Sequence, residues 1–271
     1  MCFCSLSDWS CAYDEGENAL CISYGKDSLA CVKAIKILGW KLDRIIHAEV
    51  WATDTIPADL PPVIEFKKRV DSKIKAEYGI EVEHVKADTT YEECFYRKYA
   101  KGKNAGKIWG FPFLNAPWCN GYLKMGAIKK IKIGGCEYIG IAADEAKRFK
   151  VLNNKKLSPL KEIGWEEDMC GLMCQYDDIL SPTYDNFYRD GCWFCHNQGI
   201  DQLRHLRKNY PQYWELMLKW DTDSPVAFKG NGLTVHDYDR RFEFEDKGYV
   251  PIGGKFKWKM LNEPQQIKMI F

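Results

Sequence analysis

The stretch LCISYGKDSLACVKAIKILGW, residues 20–40, decides the fold. It begins with a short apolar run that stops at Gly25, as a buried strand does. From Asp27 onward, apolar residues recur at steps of three and four until Gly39, which predicts a helix with a glycine stop. The stretch is therefore predicted to be a strand, a tight turn and a helix in immediate succession.

The same alternation continues along the chain. Residues 44–51, 80–87 and 137–143 have the apolar character of further strands, and residues 60–79 have the prolines and final glycine that bound a helix. Another helix is expected around residues 119–132, before the last of these strands. Strands that alternate with helices favour a parallel sheet covered by helices. The predicted fold class is α/β, with a doubly wound, mostly parallel sheet.

The character of the sequence changes after about residue 165. Cysteines, aromatic residues and prolines become more frequent, and residues 201–220 are predicted to form two helical pieces divided at Pro211. We expect a nucleotide-binding α/β domain over residues 1–165 and a Cys-rich appendage over 166–271, packed on that domain and carrying a metal or cluster.

Composition excludes several classes of protein. The chain has 271 residues, 46% of them hydrophobic, and 39 Lys and Arg balance 38 Asp and Glu, so no overall charge indicates nucleic acid or membrane. No apolar run is long enough to span a bilayer, and no secretory leader is evident. The expected location is the cytoplasm, without membrane association.

Twelve cysteines in a reducing compartment favour metal ligation, an iron–sulfur cluster or catalytic thiols over a disulfide framework. Some of them are expected to be ordinary buried apolar residues: Cys21, Cys31 and Cys136. Three near the start are expected to be reduced thiols, and we assign them no function: Cys2, Cys4 and Cys11.

The turn at residues 23–28 has the chemistry of a phosphate site. Backbone N–H groups at a helix start, together with the helix dipole, attract anions. Lys26 adds a full positive charge, and Ser23 and Ser28 add hydroxyl donors. Asp27 suits a helix N-cap or a ligand that holds Mg²⁺ against phosphates. The alternative is a plain strand–helix connection with a solvated lysine.

The segment ISYGKDS, residues 22–28, resembles the SGGKDS signature of the PP-loop ATP pyrophosphatases, with Tyr24 in place of the first glycine. Five other segments, in the same order, resemble the PAPS reductase-like family of that superfamily, whose fold is the adenine nucleotide alpha-hydrolase-like fold. They are HAEVWATDTIPADLPPVIEFKKRV (47–70), APWCNGYLK (116–124), YIGIAADEAKR (138–148), LSPLKEIGW (157–165) and YRDGCWFCHNQ (188–198).

The resemblance implies a site for ATP, or a related adenylyl nucleotide, with Mg²⁺. The residues implied to bind the nucleotide are Ser23, Gly25, Lys26, Asp27, Ser28, Asp54 and Glu145. The residues implied to be catalytic are Lys26, Asp27, Asp144 and Arg148. Each falls at the predicted carboxyl end of a strand, where ligands bind in open α/β sheets. For Asp144 and Glu145, an ordinary acidic helix start is the alternative.

Cys192 and Cys195 form a CxxC pair, which can bind a metal or cluster or act as a redox pair. Cys119 lies in a segment that resembles the cluster-bearing region of the family. Relatives with a cluster have two adjacent cysteines there, whereas this chain has Trp118 before its single cysteine. The resemblance thus implies a 4Fe-4S cluster with three matched ligands.

The fourth ligand stays open at this stage. Cys174 or Cys170 could supply it, or one iron could remain open for sulfide or a substrate sulfur. A structural Zn²⁺ site completed by His196 or Cys174 is the alternative to iron and sulfur.

The chain has no cysteine after Cys195 and so lacks the C-terminal Glu-Cys-Gly-x-His motif of thiol-dependent PAPS reductases. The expected function is cleavage of ATP at the α-phosphate followed by adenylation-dependent sulfur transfer. The alternatives are a reductase that releases sulfite and a non-catalytic nucleotide-binding subunit. Expected partners are an adenine nucleotide and a sulfur donor protein.

A nucleic acid is a candidate substrate, because residues 96–110 interleave Lys and Arg with Tyr and Trp. The alternatives for this segment are a solvated face and a lid over the nucleotide.

Overall fold

The computed structural model describes residues 16–112 and 117–258. Contacts divide the chain into two compact units that interleave along the sequence. The first unit comprises residues 1–51, 59–88 and 122–190, and the second comprises residues 52–58, 89–121 and 191–271. The sequence predicts one boundary at residue 165. The predicted division into an α/β domain over residues 1–165 and an appendage over residues 166–271 stays a prediction.

The first unit is built on a five-stranded sheet in which every neighbouring pair is parallel. Its strands are β1 (Ala19–Ile22), β2 (Arg44–Glu49), β3 (Val82–Lys86), β4 (Glu137–Ile139) and β5 (Lys156–Leu157). The order is β3-β2-β1-β4-β5, so β1 lies at the centre between β2 and β4. This arrangement confirms the predicted α/β fold with a doubly wound, parallel sheet.

The described residues contain nine α-helices. They are α1 (Lys26–Leu38), α2 (Pro61–Tyr78), α3 (Tyr91–Phe95), α4 (Met125–Ile128), α5 (Pro159–Ile163), α6 (Glu167–Tyr176), α7 (Ile200–Asn209), α8 (Pro211–Asp223) and α9 (Val235–Asp246). A π-helical segment lies at Asn120–Lys124, and 3₁₀-helical segments lie at Ala146–Val151 and Pro182–Asp185. None of the described helices combines the length and the apolar character that a membrane crossing requires.

Glycine stops end the first two helices where the sequence predicts them. Gly39 (φ 67°) follows α1 and Gly79 (φ 70°) follows α2, and both adopt the left-handed conformation that glycine tolerates best. The apolar face of α1 packs against β1, α5 and α6. Phe66, Val70 and Ile74 of α2 enter the same core.

Two predicted elements are shorter in the structure. The strand predicted at 137–143 ends at Ile139, because the chain turns at Gly140 beneath the start of α1. An added Cβ on Gly140 would lie 2.9 Å from the Ser28 Cα atom, so only glycine lets the two segments approach this closely. The helix predicted near 119–132 is a π-helical turn at Asn120–Lys124 followed by α4.

The second unit has an aromatic core. The Trp193 ring stacks on Trp220 with centroids 5.7 Å apart, and on Tyr213 at 4.9 Å. Phe95 and Phe111 are fully buried in the same unit. The predicted division of the C-terminal helical segment at Pro211 is confirmed, since α7 ends before that residue and α8 begins with it.

Three of the cysteines predicted to be plain buried residues behave differently from one another. Cys31 is fully buried, as predicted, whereas Cys21 is partly exposed. Cys136 is buried but disulfide-bonded, which the sequence interpretation did not anticipate. The three early cysteines, Cys2, Cys4 and Cys11, lie outside the described residues.

Candidate functional site

The turn between β1 and α1 is held by its two serines. The Ser28 hydroxyl donates to the Gly25 carbonyl at 2.9 Å and accepts from the Ser23 backbone N–H at 3.1 Å. The Ser23 hydroxyl lies 3.3 Å from that of Ser28. These contacts fix the loop, and both hydroxyls lie at the start of α1, where the helix dipole favours an anion.

Tyr24 occupies the position where the PP-loop signature has glycine, and its backbone retains a glycine-like conformation, with φ 60°. Its side chain is fully buried, and its hydroxyl hydrogen-bonds Asp71 and lies 3.3 Å from the His84 Nε2 atom. The ring therefore packs in the interior, and the left-handed backbone of Tyr24 costs about 1–2 kcal/mol.

Lys26 is engaged by two carboxylates. Its Nζ atom lies 2.9 Å from Asp27 Oδ1 and 2.8 Å from Glu167 Oε2. Burial opposes the charged form, but the hydrogen bonds to Glu167 and Asp27 outweigh it and raise the pKa of Lys26. Burial also raises the pKa of Asp27, against the lowering effect of Lys26. A cation and a desolvated carboxylate thus lie side by side at the helix start.

The loop lies at the topological switch point of the sheet. From β1 the chain passes to β2 on one side, and the sheet continues through β4 on the other. In open α/β sheets, ligands bind outside the carboxyl ends of the strands at such a point. Gly140 contributes by letting the start of α1 approach the end of β4, a role that sequence reasoning missed.

The acidic residues after β4 fall into two groups. The Asp144 Oδ1 atom accepts from the Glu167 backbone N–H at 3.3 Å, which places it beside the Lys26 partner. Glu145 instead binds Arg148, whose Nη1 atom lies 2.7 Å from both carboxylate oxygens. Asp144 is therefore linked to Lys26 of the loop through Glu167. The catalytic roles of Asp144 and Arg148 stay predictions.

Two residues of the loop region were missed by sequence reasoning. Glu167 had no distinguishing signal, because it looks like any acid in the first turn of a helix. The Tyr184 hydroxyl receives a backbone hydrogen bond from Lys26; burial raises the pKa of Tyr184, and this bond opposes that rise. An added Cβ on Gly25 would lie 3.6 Å from the same hydroxyl, so Tyr184 covers the loop.

Asp54 lies in the segment 52–58 of the second unit and is exposed. Its predicted place beside the nucleotide stays a prediction.

The predicted metal-binding cysteines Cys119, Cys192 and Cys195 all belong to the second unit. The CxxC pair forms a tight turn in which the Cys195 N–H donates to the Cys192 carbonyl at 3.0 Å. Trp193, inside the turn, anchors it by donating from its backbone to Ala58 at 2.9 Å and from its indole to Pro57 at 2.8 Å. The turn is thus fixed to a neighbouring segment of its own unit.

Tyr91 of α3 lies among these cysteines. Burial, and after it the charges of Cys119, Cys195 and Cys192, raises the pKa of Tyr91 well above its usual range. Its ring centroid lies 4.1 Å from that of Phe194, between the two CxxC cysteines, and 4.9 Å from that of Trp118, next to Cys119. Sequence reasoning missed Tyr91, because a tyrosine in a short helix carries no such signal.

Among the described residues, no three His, Cys, Asp or Glu side chains converge closely enough to hold one metal ion. This finding bears on the zinc interpretation more than on a cluster, because a cluster spreads its thiolates over several irons.

Cys174, a predicted fourth ligand, is fully buried in the first unit, and its Sγ atom donates to the Lys26 carbonyl at 3.1 Å. Burial raises the pKa of Cys174 to about 12, and likewise that of Cys170, so both are thiols rather than thiolates at neutral pH. His196, the other residue considered for a zinc site, is buried in the second unit.

Residues 96–110 form a hairpin in the second unit. An antiparallel bridge joins Lys98 and Ile108, and the Tyr99 and Trp109 N–H groups donate to the opposite strand at 2.9 and 2.8 Å. Its four lysines are exposed: Lys98, Lys101, Lys103 and Lys107. Within the part of the chain that the structure describes, none of the four makes an ion pair, and the segment contains no Asp or Glu.

No family model and no curated protein matches this chain. Among solved structures, it is similar to the U34-tRNA thiolase NcsA from Methanococcus maripaludis with its 4Fe-4S cluster. The identity is 15% over 84% of this chain and 81% of that chain, with a TM-score of 0.37. A likeness this remote carries no argument about the present chain.

Proposed function

We propose that this chain is an ATP-using enzyme of PP-loop type that activates an acceptor by adenylation and then supports transfer of sulfur to it. One observation carries the nucleotide part of the proposal. The Ser23–Ser28 loop, with Lys26 at its centre, lies at the switch point of a parallel sheet. Backbone N–H groups, two hydroxyls and an ammonium group there form a set of donors suited to the phosphates of ATP.

Each residue of the loop region has a chemical task in this proposal. Lys26 exchanges its contact with Glu167 for the phosphates, and its charge stabilises the pyrophosphate that leaves. Asp27 and Asp144 supply carboxylate oxygens for Mg²⁺, which prefers such ligands and binds phosphate at the same time. Gly25 places no side chain between the loop and the Tyr184 hydroxyl, and Glu145 and Arg148 form an ion pair after β4.

The reaction balances without a redox step when sulfur enters as hydrosulfide. An acceptor oxygen attacks the α-phosphorus of ATP and loses its proton to solvent. The bond from that phosphorus to the bridging oxygen breaks, and pyrophosphate leaves with the electron pair. Hydrosulfide then attacks the adenylated carbon, the carbon–sulfur bond forms, and AMP leaves with the electron pair of the broken carbon–oxygen bond.

The second unit supports a sulfur-handling metal centre on Cys119, Cys192 and Cys195. Cysteine thiolates are the ligands of iron–sulfur clusters, and a CxxC turn presents two of them from one short segment. The buried hydroxyl of Tyr91 and the indole N–H of Trp118 have no hydrogen-bond partner within the described residues, which fits a sulfur acceptor next to them. A 4Fe-4S cluster bound here would supply a place to hold sulfur.

We favour a cluster with three protein thiolates over a closed zinc site. The described residues contain no converged set of ligands for a single ion, and Cys174 is occupied as a buried thiol beside Lys26. The proposed ligand set therefore omits Cys174.

The lysine hairpin at residues 96–110 supports a nucleic acid as the acceptor. Four exposed lysines on a hairpin that contains no Asp or Glu suit contacts to a phosphate backbone. A protein that delivers sulfur is the other partner we propose.

The first experiment is anaerobic purification followed by iron, zinc and sulfide analysis, together with release of pyrophosphate from ATP. Wild type is compared with Cys192→Ala and Lys26→Ala. Cys94→Ala serves as the matched control, because Cys94 is a buried cysteine of the same unit that contacts Thr89. The proposal expects about four irons per chain, which Cys192→Ala loses and Cys94→Ala keeps.

The same variants test ATP cleavage separately from the metal centre. Lys26→Ala should keep its iron and lose pyrophosphate release. Zinc in place of iron would remove the sulfur-handling centre from the proposal and leave an adenylating enzyme. ATP binding without turnover, under all acceptors tried, would instead favour the non-catalytic nucleotide-binding subunit.

A further inference from the structure

The hydroxyl of Tyr91 is an unusual group in the second unit. The residue is 1% exposed, and its hydroxyl oxygen is buried without a hydrogen-bond partner in the part of the chain that is described. Leaving a buried polar group without a hydrogen-bond partner destabilises the folded protein. Phenylalanine would fill the same space without that cost, so the hydroxyl requires an explanation.

The ring places this hydroxyl beside the three candidate ligands. Tyr91 packs on Phe194, between Cys192 and Cys195, and on Trp118, which precedes Cys119. The third neighbour is Trp220, at 5.1 Å between ring centroids. Aromatic rings therefore enclose Tyr91, and Cys119, Cys192 and Cys195 lie close enough to act electrostatically on its hydroxyl.

A second donor has the same character. The Trp118 Nε1 atom is buried and also has no partner among the described residues. A tyrosine hydroxyl can donate or accept, but an indole N–H can only donate. A buried tyrosine hydroxyl near three cysteines, and a buried indole N–H on the residue before one of them, call for an acceptor that is rich in electrons. Sulfur of a metal–thiolate centre is such an acceptor.

We propose that Tyr91 and Trp118 donate hydrogen bonds to the sulfur atoms of the centre held by Cys119, Cys192 and Cys195. This inference rests on the proposed function, because it requires a centre on those cysteines. Donors to cluster sulfurs stabilise the added electron of the reduced state and so raise the reduction potential. Tyr91 and Trp118 are positioning residues here, since they act on the centre through its sulfurs.

The experiment compares Tyr91→Phe with wild type in two states. In the loaded protein, loss of one hydrogen bond should shift the reduction equilibrium about tenfold, which is ~59 mV more negative for a one-electron couple. In the metal-free protein, the same change should leave the melting temperature equal or higher, because it removes an unsatisfied hydroxyl. Trp118→Phe should also lower the potential, and it gives an independent test if Tyr91→Phe folds poorly.

Tyr96→Phe is the matched control. Tyr96 lies in the same unit, but its hydroxyl already donates to Asp223 at 2.6 Å. Its removal should leave the potential unchanged and lower the melting temperature of the metal-free protein.

The outcomes distinguish the proposed metal centre from the hydrogen bonds that Tyr91 and Trp118 donate to it. Iron bound by wild type, with equal potentials in wild type, Tyr91→Phe and Trp118→Phe, would overturn this inference and leave the proposed centre intact. A destabilised metal-free Tyr91→Phe would also overturn it, since the hydroxyl would then have a partner within the protein or its ordered water. Failure of wild type to bind iron would overturn both the centre and the inference.

Discussion

The ammonium group of Lys26 lies 2.8 Å from the carboxylate of Glu167, although 141 positions separate the two residues in sequence. The contact joins the start of α1 to the start of α6. It engages the ammonium group of Lys26, which the proposed site needs for binding phosphate. Binding of phosphate must therefore compete with Glu167 for Lys26.

The first prediction follows from that competition. Glu167→Gln removes the competing charge and should tighten ATP binding by about two- to fivefold, because partly exposed ion pairs contribute only ~0–1 kcal/mol. Lys26→Ala removes a charge-assisted hydrogen bond and should weaken binding by about 10- to 100-fold. Isothermal titration calorimetry measures both. Glu166→Gln is the control, since Glu166 is exposed at the helix N-cap. Equal affinities in Glu167→Gln and wild type would contradict the competition.

Tyr184 provides the second prediction. Its hydroxyl holds a backbone hydrogen bond from Lys26, where a phosphate oxygen would bind. Tyr184→Phe frees that N–H, and a hydrogen bond of about 1 kcal/mol corresponds to roughly fivefold tighter ATP binding. Tyr188→Phe, in the same segment but 94% exposed, should have no effect. Weaker binding in Tyr184→Phe would show instead that the hydroxyl contacts the nucleotide.

The sheet could be predicted from sequence because local signals specify it. The apolar run before Gly25, the helical period up to Gly39 and the glycine stop at Gly79 each act within a few residues. The partners in the site could not be predicted, because they meet through tertiary packing. Nothing in the sequence distinguishes Glu167 from its acidic neighbours, or Tyr91 from other tyrosines.

The environment of Tyr24 could not be predicted from sequence either, because it too depends on tertiary contacts. In sequence it is a departure from the PP-loop signature that suggests an altered loop. In the structure its backbone keeps φ 60°, and its buried side chain joins Asp71 and His84. Contacts between three segments distant in sequence thus preserve a conformation that glycine alone would adopt without strain.

The third prediction concerns pH and His84. The imidazole lies between two carboxylates, with Nε2 2.9 Å from Asp71 and Nδ1 2.9 Å from Glu49. Hydrogen bonds to Asp71 and then Glu49 raise the pKa of His84 to about 9, above the value of about 6.5 in an unfolded chain. Protonated His84 therefore contributes its full stabilisation to the folded protein below pH ~6.5, and this contribution is lost as the pH rises through about 9.

Melting temperatures from pH 6 to 10 measure this effect. Wild type should lose more stability over that range than His84→Gln, which has no proton to release. The two curves should converge at high pH. Parallel curves would show that His84 is not charged in the folded protein.

The fourth prediction concerns the lysine hairpin. If its four exposed lysines contact a phosphate backbone, binding of RNA or DNA should weaken steeply with salt, because each contact releases condensed counterions. Replacing all four with Gln should make the slope of log K against log salt roughly 3 units shallower, at ~0.7–0.9 per phosphate contact. Filter binding or fluorescence anisotropy at several salt concentrations gives the slope.

A control with the same change in charge tests whether position matters. It replaces four exposed lysines of the first unit with Gln: Lys68, Lys75, Lys129 and Lys132. Because the whole chain has a net charge of only +1, both variants become equally acidic, and any nonspecific loss of affinity should be the same in both. A shallower slope in the hairpin variant alone would assign the contacts to residues 96–110. Equal slopes in the two variants would show that the hairpin is a solvated surface.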